Sequence, residues 1–100
     1  MTIEIKRNAQ ATTIALVGRL DTNTAPVLDK TIMEDIGDTK ELILDVKGLE
    51  YISSAGLRVL LAAQQKMQEI GTMKLTHVCE DVMEVLEMTG FADILTIEKK

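Results

Sequence analysis

The sequence predicts an α/β fold built on a mostly parallel sheet, in the order β-β-α-β-α-β-α-β. Three observations point there. Two short stretches in which apolar residues alternate with polar ones come first. From Ala25 onward, apolar residues at helical spacing take turns with short apolar runs, three times over. Capping residues or glycines mark most of the junctions. A helix between two strands of one sheet makes a right-handed crossover, and successive crossovers give a parallel sheet with helices packed on it. The first strand is then expected as an antiparallel N-terminal edge.

The elements follow in order. Ile3 and Ile5 alternate with polar neighbours, which predicts a strand over residues 2–7 with one wet face. Asn8-Ala9-Gln10 reads as a turn. Thr12 to Leu20 reads as the second strand, with Ile14, Leu16 and Leu20 on one face and Gly18 leaving a gap there for a neighbour to fill. The short connection predicts an antiparallel hairpin. Asp21-Thr22-Asn23-Thr24 is dense in capping side chains, and Pro26 falls in the first turn that follows. Leu28, Ile32 and Ile36 recur every fourth residue before Gly37, so residues 25–36 read as an amphipathic helix. Leu42-Ile43-Leu44 and Val46 form a near-continuous apolar run, as in a strand covered on both faces.

Ala55 to Ile70 is helical in pattern, with Val59, Leu60, Ala63, Met67 and Ile70 on one side and Gly71 at its end. Met73 to Val78 reads as a strand. Glu80 and Asp81 open a short helix carrying Val82, Val85 and Leu86, and Gly90 stops it. Ile94 to Ile97 reads as a last short strand. Residues 1–100 are expected to form one domain, without linker or appended segment.

Composition removes several classes of function. Hydrophobic residues make up 46% of the 100, enough for one modest core. No apolar run approaches the ~18 residues of a membrane span, and Met1-Thr2-Ile3-Glu4-Ile5-Lys6 lacks the layout of a signal peptide. Membrane insertion is therefore not expected. Cys79 is the only cysteine, which rules out an internal disulfide and fits a reducing compartment. A net charge of −5, with one tyrosine, one phenylalanine and no tryptophan, suits nucleic acid poorly. A protein partner fits better, and the negative charge suits one with a basic surface.

In parallel sheets the functional loops gather at the carboxyl ends of the strands. Here those are Asp21 to Thr24, Leu49 to Gly56 and Cys79 to Asp81. The middle one, Leu49-Glu50-Tyr51-Ile52-Ser53-Ser54-Ala55-Gly56-Leu57, is the most informative stretch of the chain. Its two hydroxyls stand where a strand hands over to a helix, whose first N–H groups lack intrahelical partners and carry partial positive charge. A serine there can cap the helix or carry a phosphate that the helix end accommodates. Local physics favours the cap. The readings are compatible, because a capping Ser54 also keeps its hydroxyl at the surface.

Other chemistry is poorly supported. A nucleophilic serine needs a base, usually a histidine. His77 is the only one, read as a partly buried strand residue, and no Gly-x-Ser-x-Gly elbow is present. Metal binding lacks ligands: Cys79, His77, Glu80 and Asp81 are close in sequence but supply one thiol and one imidazole. Cys79 reads as a small buried hydrophobe. Phosphate-binding glycine loops are missing, so no nucleotide cofactor is expected. Asp21, Asp45 and Glu50 read as a cap, a strand-end charge and a solvated loop residue. Met67, Met83 and Met88 read as core filling, although a methionine groove for a partner helix is the alternative.

Tyr51-Ile52-Ser53-Ser54-Ala55-Gly56-Leu57, followed by Arg58-Val59-Leu60-Leu61, resembles the signature of STAS domains of the anti-sigma factor antagonist type. Leu20-Asp21-Thr22-Asn23-Thr24-Ala25 resembles that family's second-strand exit, and Met88-Thr89-Gly90-Phe91 its closing segment. The resemblance covers nearly the whole chain. It implies a cytoplasmic bacterial partner switch and no enzyme. Such an antagonist binds an anti-sigma factor that is also a serine kinase, which frees the sigma factor. Phosphorylation of a serine at the start of the second helix weakens the complex, and a PP2C-type phosphatase reverses it.

By alignment of the loop, the resemblance makes Ser54 the acceptor, with Ser53 as the lesser candidate. It implies a partner surface of Asp21, Thr22, Asn23, Ser53, Ser54, Gly56, Leu57 and Arg58. One departure stands out. The family's Asp-Ser-Ser-Gly reads Ser53-Ser54-Ala55-Gly56 here, which removes a charge beside the acceptor and adds a competing hydroxyl. Arg58, one turn on, is either a clamp for the phosphate or a solvated side chain. The same domain type also implies a second role, as a non-switching scaffold subunit of a membrane transporter or another signalling complex.

Overall fold

A five-stranded sheet runs in the order β1-β2-β3-β4-β5, the same order as the chain. The computed structural model describes residues 1–8, 11–37 and 39–98. The elements are β1 (Thr2–Arg7), β2 (Ala11–Leu20), α1 (Ala25–Asp35), β3 (Glu41–Ile52), α2 (Ser54–Ile70), β4 (Thr72–Thr76), α3 (Glu80–Met88), a 3₁₀ turn (Phe91–Asp93) and β5 (Ile97–Glu98). β1 is antiparallel to β2, and every later pair is parallel. The turn expected at Asn8-Ala9-Gln10 includes residues 9 and 10, which lie outside the described residues.

Strand order decides which face is covered. The parallel strands follow one another in one direction across the sheet, so three right-handed crossovers put all three helices on the same side. Leu28 and Ile32 of α1, Leu60 and Met67 of α2 and Leu86 of α3 share one core with Ile14, Leu16, Leu42, Leu44 and Leu75 of the sheet. β3 was expected to be covered on both faces, and it is not. Leu42, Leu44 and Val46 are buried under the helices, whereas Ile43 and Asp45 on the reverse face are half-exposed. Apolarity at Ile43 reflects a sheet face without a helix layer.

β3 is also longer than its apolar run implied, because two bulges lie between it and β2. Its register with β2 shifts between Ala15 and Val17 and again between Gly18 and Arg19. Each shift adds one residue on β3. Inward-facing positions therefore step by two through Leu42, Leu44 and Val46, then by three to Leu49 and Ile52. Gly18 sits at the second bulge with φ +111°, a backbone conformation that side-chain-bearing residues rarely adopt. Conformation accounts for Gly18 first, and the Met1 backbone also packs there, its Cα 3.4 Å from where a Cβ would stand.

The last strand is shorter and later than expected. Gly90 turns the chain with φ +82°, and the 3₁₀ turn takes up Phe91–Asp93. Leu95 then plugs the core at 5% exposure, and among the described residues Ile97–Glu98 pair with β4.

Candidate functional site

β2 and β3 end together, and a backbone bond ties their exits. The Ser53 N–H donates to the Leu20 carbonyl at 2.8 Å, next to the last register pair, Leu20 and Ile52. Ser53 itself stays extended, with φ −96° and ψ 174°, and α2 begins at Ser54. The residue that caps α2 is therefore Ser53. Its Oγ accepts the Gly56 N–H at 3.3 Å, and its carbonyl accepts the Leu57 N–H at 2.9 Å. The reading of Ser54 as the cap is corrected by one residue: the half-in position follows Ile52 directly, and Ser54 is already in the first turn.

That leaves the two hydroxyls unlike each other. Ser53 is half-buried and engaged. Ser54 is exposed, and its hydroxyl makes no hydrogen bond among the described residues. The first turn of α2 contains no acidic residue. Its seat on the sheet depends on Gly56, where a Cβ would come within 2.7 Å of Leu20 Cγ and 3.0 Å of Ile52 Cγ1. Gly56 and Leu57 are buried, Leu57 at 6% exposure, so they hold the turn in place and present no surface. Arg58 is exposed and forms no ion pair among the described residues.

The neighbouring loop is closed by its own side chains. Asp21 Oδ1 accepts the N–H groups of Asn23 at 3.0 Å and Thr24 at 3.1 Å, and the Asp21 carbonyl takes the Ala25 N–H at 2.8 Å. Thr24 Oγ1 accepts the Asp21 N–H at 2.8 Å and donates to the Arg19 carbonyl at 2.7 Å. Thr24, the N-cap residue of α1, makes no side-chain cap bond to the helix. The Thr24 N–H, aided by the Asn23 N–H, the Thr24 hydroxyl and the Arg19 charge, holds the Asp21 carboxyl below its ordinary value against a smaller opposing effect of desolvation. Thr22 and Asn23 project at the tip, both exposed.

One pair was not anticipated. The Arg19 guanidinium lies over the Tyr51 ring, 4.2 Å from its centroid, and its Nε stands 4.0 Å from Asp21 Oδ2. Arg19 thus links the serine strand to the Asp21 loop. The sequence signal for it was weak, because Arg19 faces Tyr51 only after both bulges have shifted the register.

The third expected loop stands apart. β4 stops at Thr76, opposite Asp45, and the Cys79 thiol reaches the Leu49 carbonyl at 3.7 Å. Leu49 is four residues short of Ser53, about 13 Å along an extended strand. Cys79 is half-buried. His77 is exposed just beyond β4, with φ +60°, and its Nδ1 lies 3.1 Å from Asp45 Oδ1. It is therefore neither on the strand nor buried, and Asp45 is a mid-strand residue on the open face. Glu50, expected in a loop, is an exposed residue of β3. Among the described residues, no cluster of three or more His, Cys, Asp or Glu side chains could hold a metal ion.

The site is thus an exposed serine at the start of a helix whose partner strands are tied at their ends. The STAS domain family model matches residues 2–100. The chain belongs to the STAS domain family. This STAS domain is 25% identical over 99 residues to the anti-sigma-B factor antagonist of Bacillus subtilis, covering 98% of this chain and 91% of that protein. Its fold superposes on an anti-sigma factor antagonist from Mycobacterium paratuberculosis with a TM-score of 0.89 at 20% identity, covering 99% of this chain and 86% of the other. It also superposes on the Bacillus cell fate determinant SpoIIAA in its phosphorylated form, with a TM-score of 0.76 at 16% identity and coverage of 99% and 93%. A sulfate transporter family protein from Wolinella succinogenes shares the fold as well, with a TM-score of 0.78 at 20% identity and coverage of 92% and 80%. No helix among the described residues is long and apolar enough to cross a membrane.

Proposed function

We propose that this STAS domain is an anti-sigma factor antagonist that works by partner switching. It binds an anti-sigma factor with serine kinase activity, is released when that kinase phosphorylates Ser54, and is reset by a PP2C-type phosphatase. The observation that carries this reading is the division of labour between the serines: Ser53 caps α2, so Ser54 is exposed with an unengaged hydroxyl. The likeness to an anti-sigma-B factor antagonist across nearly the full length supports it.

A phosphoserine adds about −1.5 to −2 charges at neutral pH. At Ser54 those charges meet the positive end of the α2 dipole, a favourable contact of roughly 0.3–1 kcal/mol. They displace no core atom, because the side chain is exposed. The fold persists, and the surface changes sign. A partner that docks over Thr22, Asn23, Ser54 and Arg58 must desolvate a dianion or lose the contact, and each ~1.4 kcal/mol lost is tenfold in affinity. In this reading Asp21 and Ser53 shape the surface, Gly56 and Leu57 support it from below, and Arg19 and Tyr51 extend it. No catalytic role is assigned, since the one histidine is paired with Asp45 and, among the described residues, no base is bonded to the Ser54 hydroxyl.

The test is incubation with the cognate kinase and ATP, followed by peptide mapping. One phosphate on Ser54, none in Ser54→Ala, and retained partner binding by Ser54→Ala are expected. Labelling of Ser53, or capture of a transporter subunit in place of a kinase, would overturn the reading.

A further inference from the structure

We infer that the outer edge of β1 is a pairing surface for a second copy of this chain, through an antiparallel β1–β1 contact about a two-fold axis. The sheet has two edges, and they are built differently. Among the described residues β5 spans only Ile97–Glu98, which offers an incoming strand little to pair with. β1 runs for six residues in a continuous register with β2, and it contains no proline. Among the described residues nothing pairs with its outer side. An edge of this kind turns alternate N–H and C=O groups toward solvent.

Apolar surface remains there too. Ile5 is 39% exposed although its register partner on β2, Ile14, is fully buried. A further strand beside β1 would cover it.

The strand's own sequence selects the occupant. Residues directly opposite one another in an antiparallel pair lie on the same face and interact most strongly there. With Ile5 on the two-fold axis, Glu4 stands opposite the partner's Lys6, and Lys6 opposite the partner's Glu4. The Ile5 side chains then meet each other on the helix-covered side. Glu4 and Lys6 are exposed, and neither forms an ion pair within the chain among the described residues. Centring the pair on Glu4 or on Lys6 instead sets like charges face to face, so charge fixes one register of the three. A two-fold contact is self-complementary, which a strand reading Thr-Ile-Glu-Ile-Lys-Arg satisfies. The contact is confined to one strand, so it stays well below the ~1,200 Å² of a stable complex and the dimer is concentration-dependent.

Sedimentation velocity over a concentration series tests this with the wild type, Glu4→Lys, Lys6→Glu and the double swap. Both positions are exposed, and circular dichroism confirms that each variant is folded. The wild type should dimerise as concentration rises. Each single change should weaken the dimer at least ~10-fold, since it sets like charges opposite each other twice. The double swap should restore it, and an equimolar mixture of the two single variants should form a heterodimer. A wild type that stays monomeric, single variants that dimerise as the wild type does, or a mixture that fails to associate would each overturn the inference.

Discussion

α2 and α3 both start after a residue held in extended conformation, Ser53 with φ −96° and ψ 174°, Cys79 with φ −75° and ψ 164°. Both follow a parallel strand of the same sheet. Ser53 spends its side chain on the helix, accepting the Gly56 N–H, whereas the Cys79 thiol turns back to the Leu49 carbonyl and leaves α3 without a side-chain cap. α3 carries Glu80 and Asp81 in its first turn, but α2 carries no acid there. The dipole at α3 is already answered by fixed carboxylates. At α2 the positive end faces solvent beside an exposed hydroxyl. The contrast teaches that equivalent helix starts can be tuned oppositely, one closed to added negative charge and the other open to it.

The largest expected effect comes from removing the seat of α2. Leu20 is fully buried, and it closes against Gly56. Leu20→Ala should lower the unfolding free energy by about 2–5 kcal/mol in a denaturant titration. A loss below ~1 kcal/mol would mean that α2 does not depend on that contact.

The two serines should then separate. Ser53→Ala removes the cap and should cost about 1 kcal/mol, while Ser54→Ala should stay within ~0.5 kcal/mol of the wild type. Equal costs, or the reverse order, would break the contrast at its centre.

Charge at the two helix starts should act in opposite directions. Ser54→Asp adds a carboxylate to α2 and should raise stability by roughly 0.3–1 kcal/mol at low salt. Glu80→Gln removes one from α3 and should lower it by a similar amount, both effects shrinking as salt is added.

The smallest effect is a pH dependence. The Asp21 carboxyl is held below its ordinary value in the fold, chiefly by the Thr24 N–H. Its contribution to stability is therefore present above the unfolded carboxylate pKa and lost as pH falls through the lower folded value. Thermal midpoints taken downward from about pH 5 should fall less steeply in Asp21→Asn than in the wild type. Parallel curves would remove Asp21 from the account of this loop.

Much of this was legible in the sequence because it rests on periodicity. Leu28, Ile32 and Ile36 placed α1, and the helical stripe from Val59 to Met67 placed α2 under the sheet. The exposed serine between β3 and α2 was legible too, since the change of period marks the handover. What escaped depended on tertiary registration. The bulges change the inward step on β3 from two to three after Val46, so Leu49 to Ile52 looked like loop. Arg19 and Tyr51 meet only in that shifted register. Ile43 is as apolar as its neighbours, and only the order of strands reveals that its face is open. The cap moved from Ser54 to Ser53 because one residue of strand length decides which serine is half inside the helix.

The central claim is that a dianion at Ser54 alters the surface and leaves the core alone. Phosphoserine installed at position 54 during translation allows it to be measured without a kinase: affinity for the proposed anti-sigma partner is read by calorimetry beside the unmodified protein. The account predicts at least a tenfold loss of affinity, a matter of ~1.4 kcal/mol, with a thermal midpoint that is held or slightly raised at low salt. Equal affinity in the two forms would contradict it, as would weakened binding that merely follows a collapse in stability.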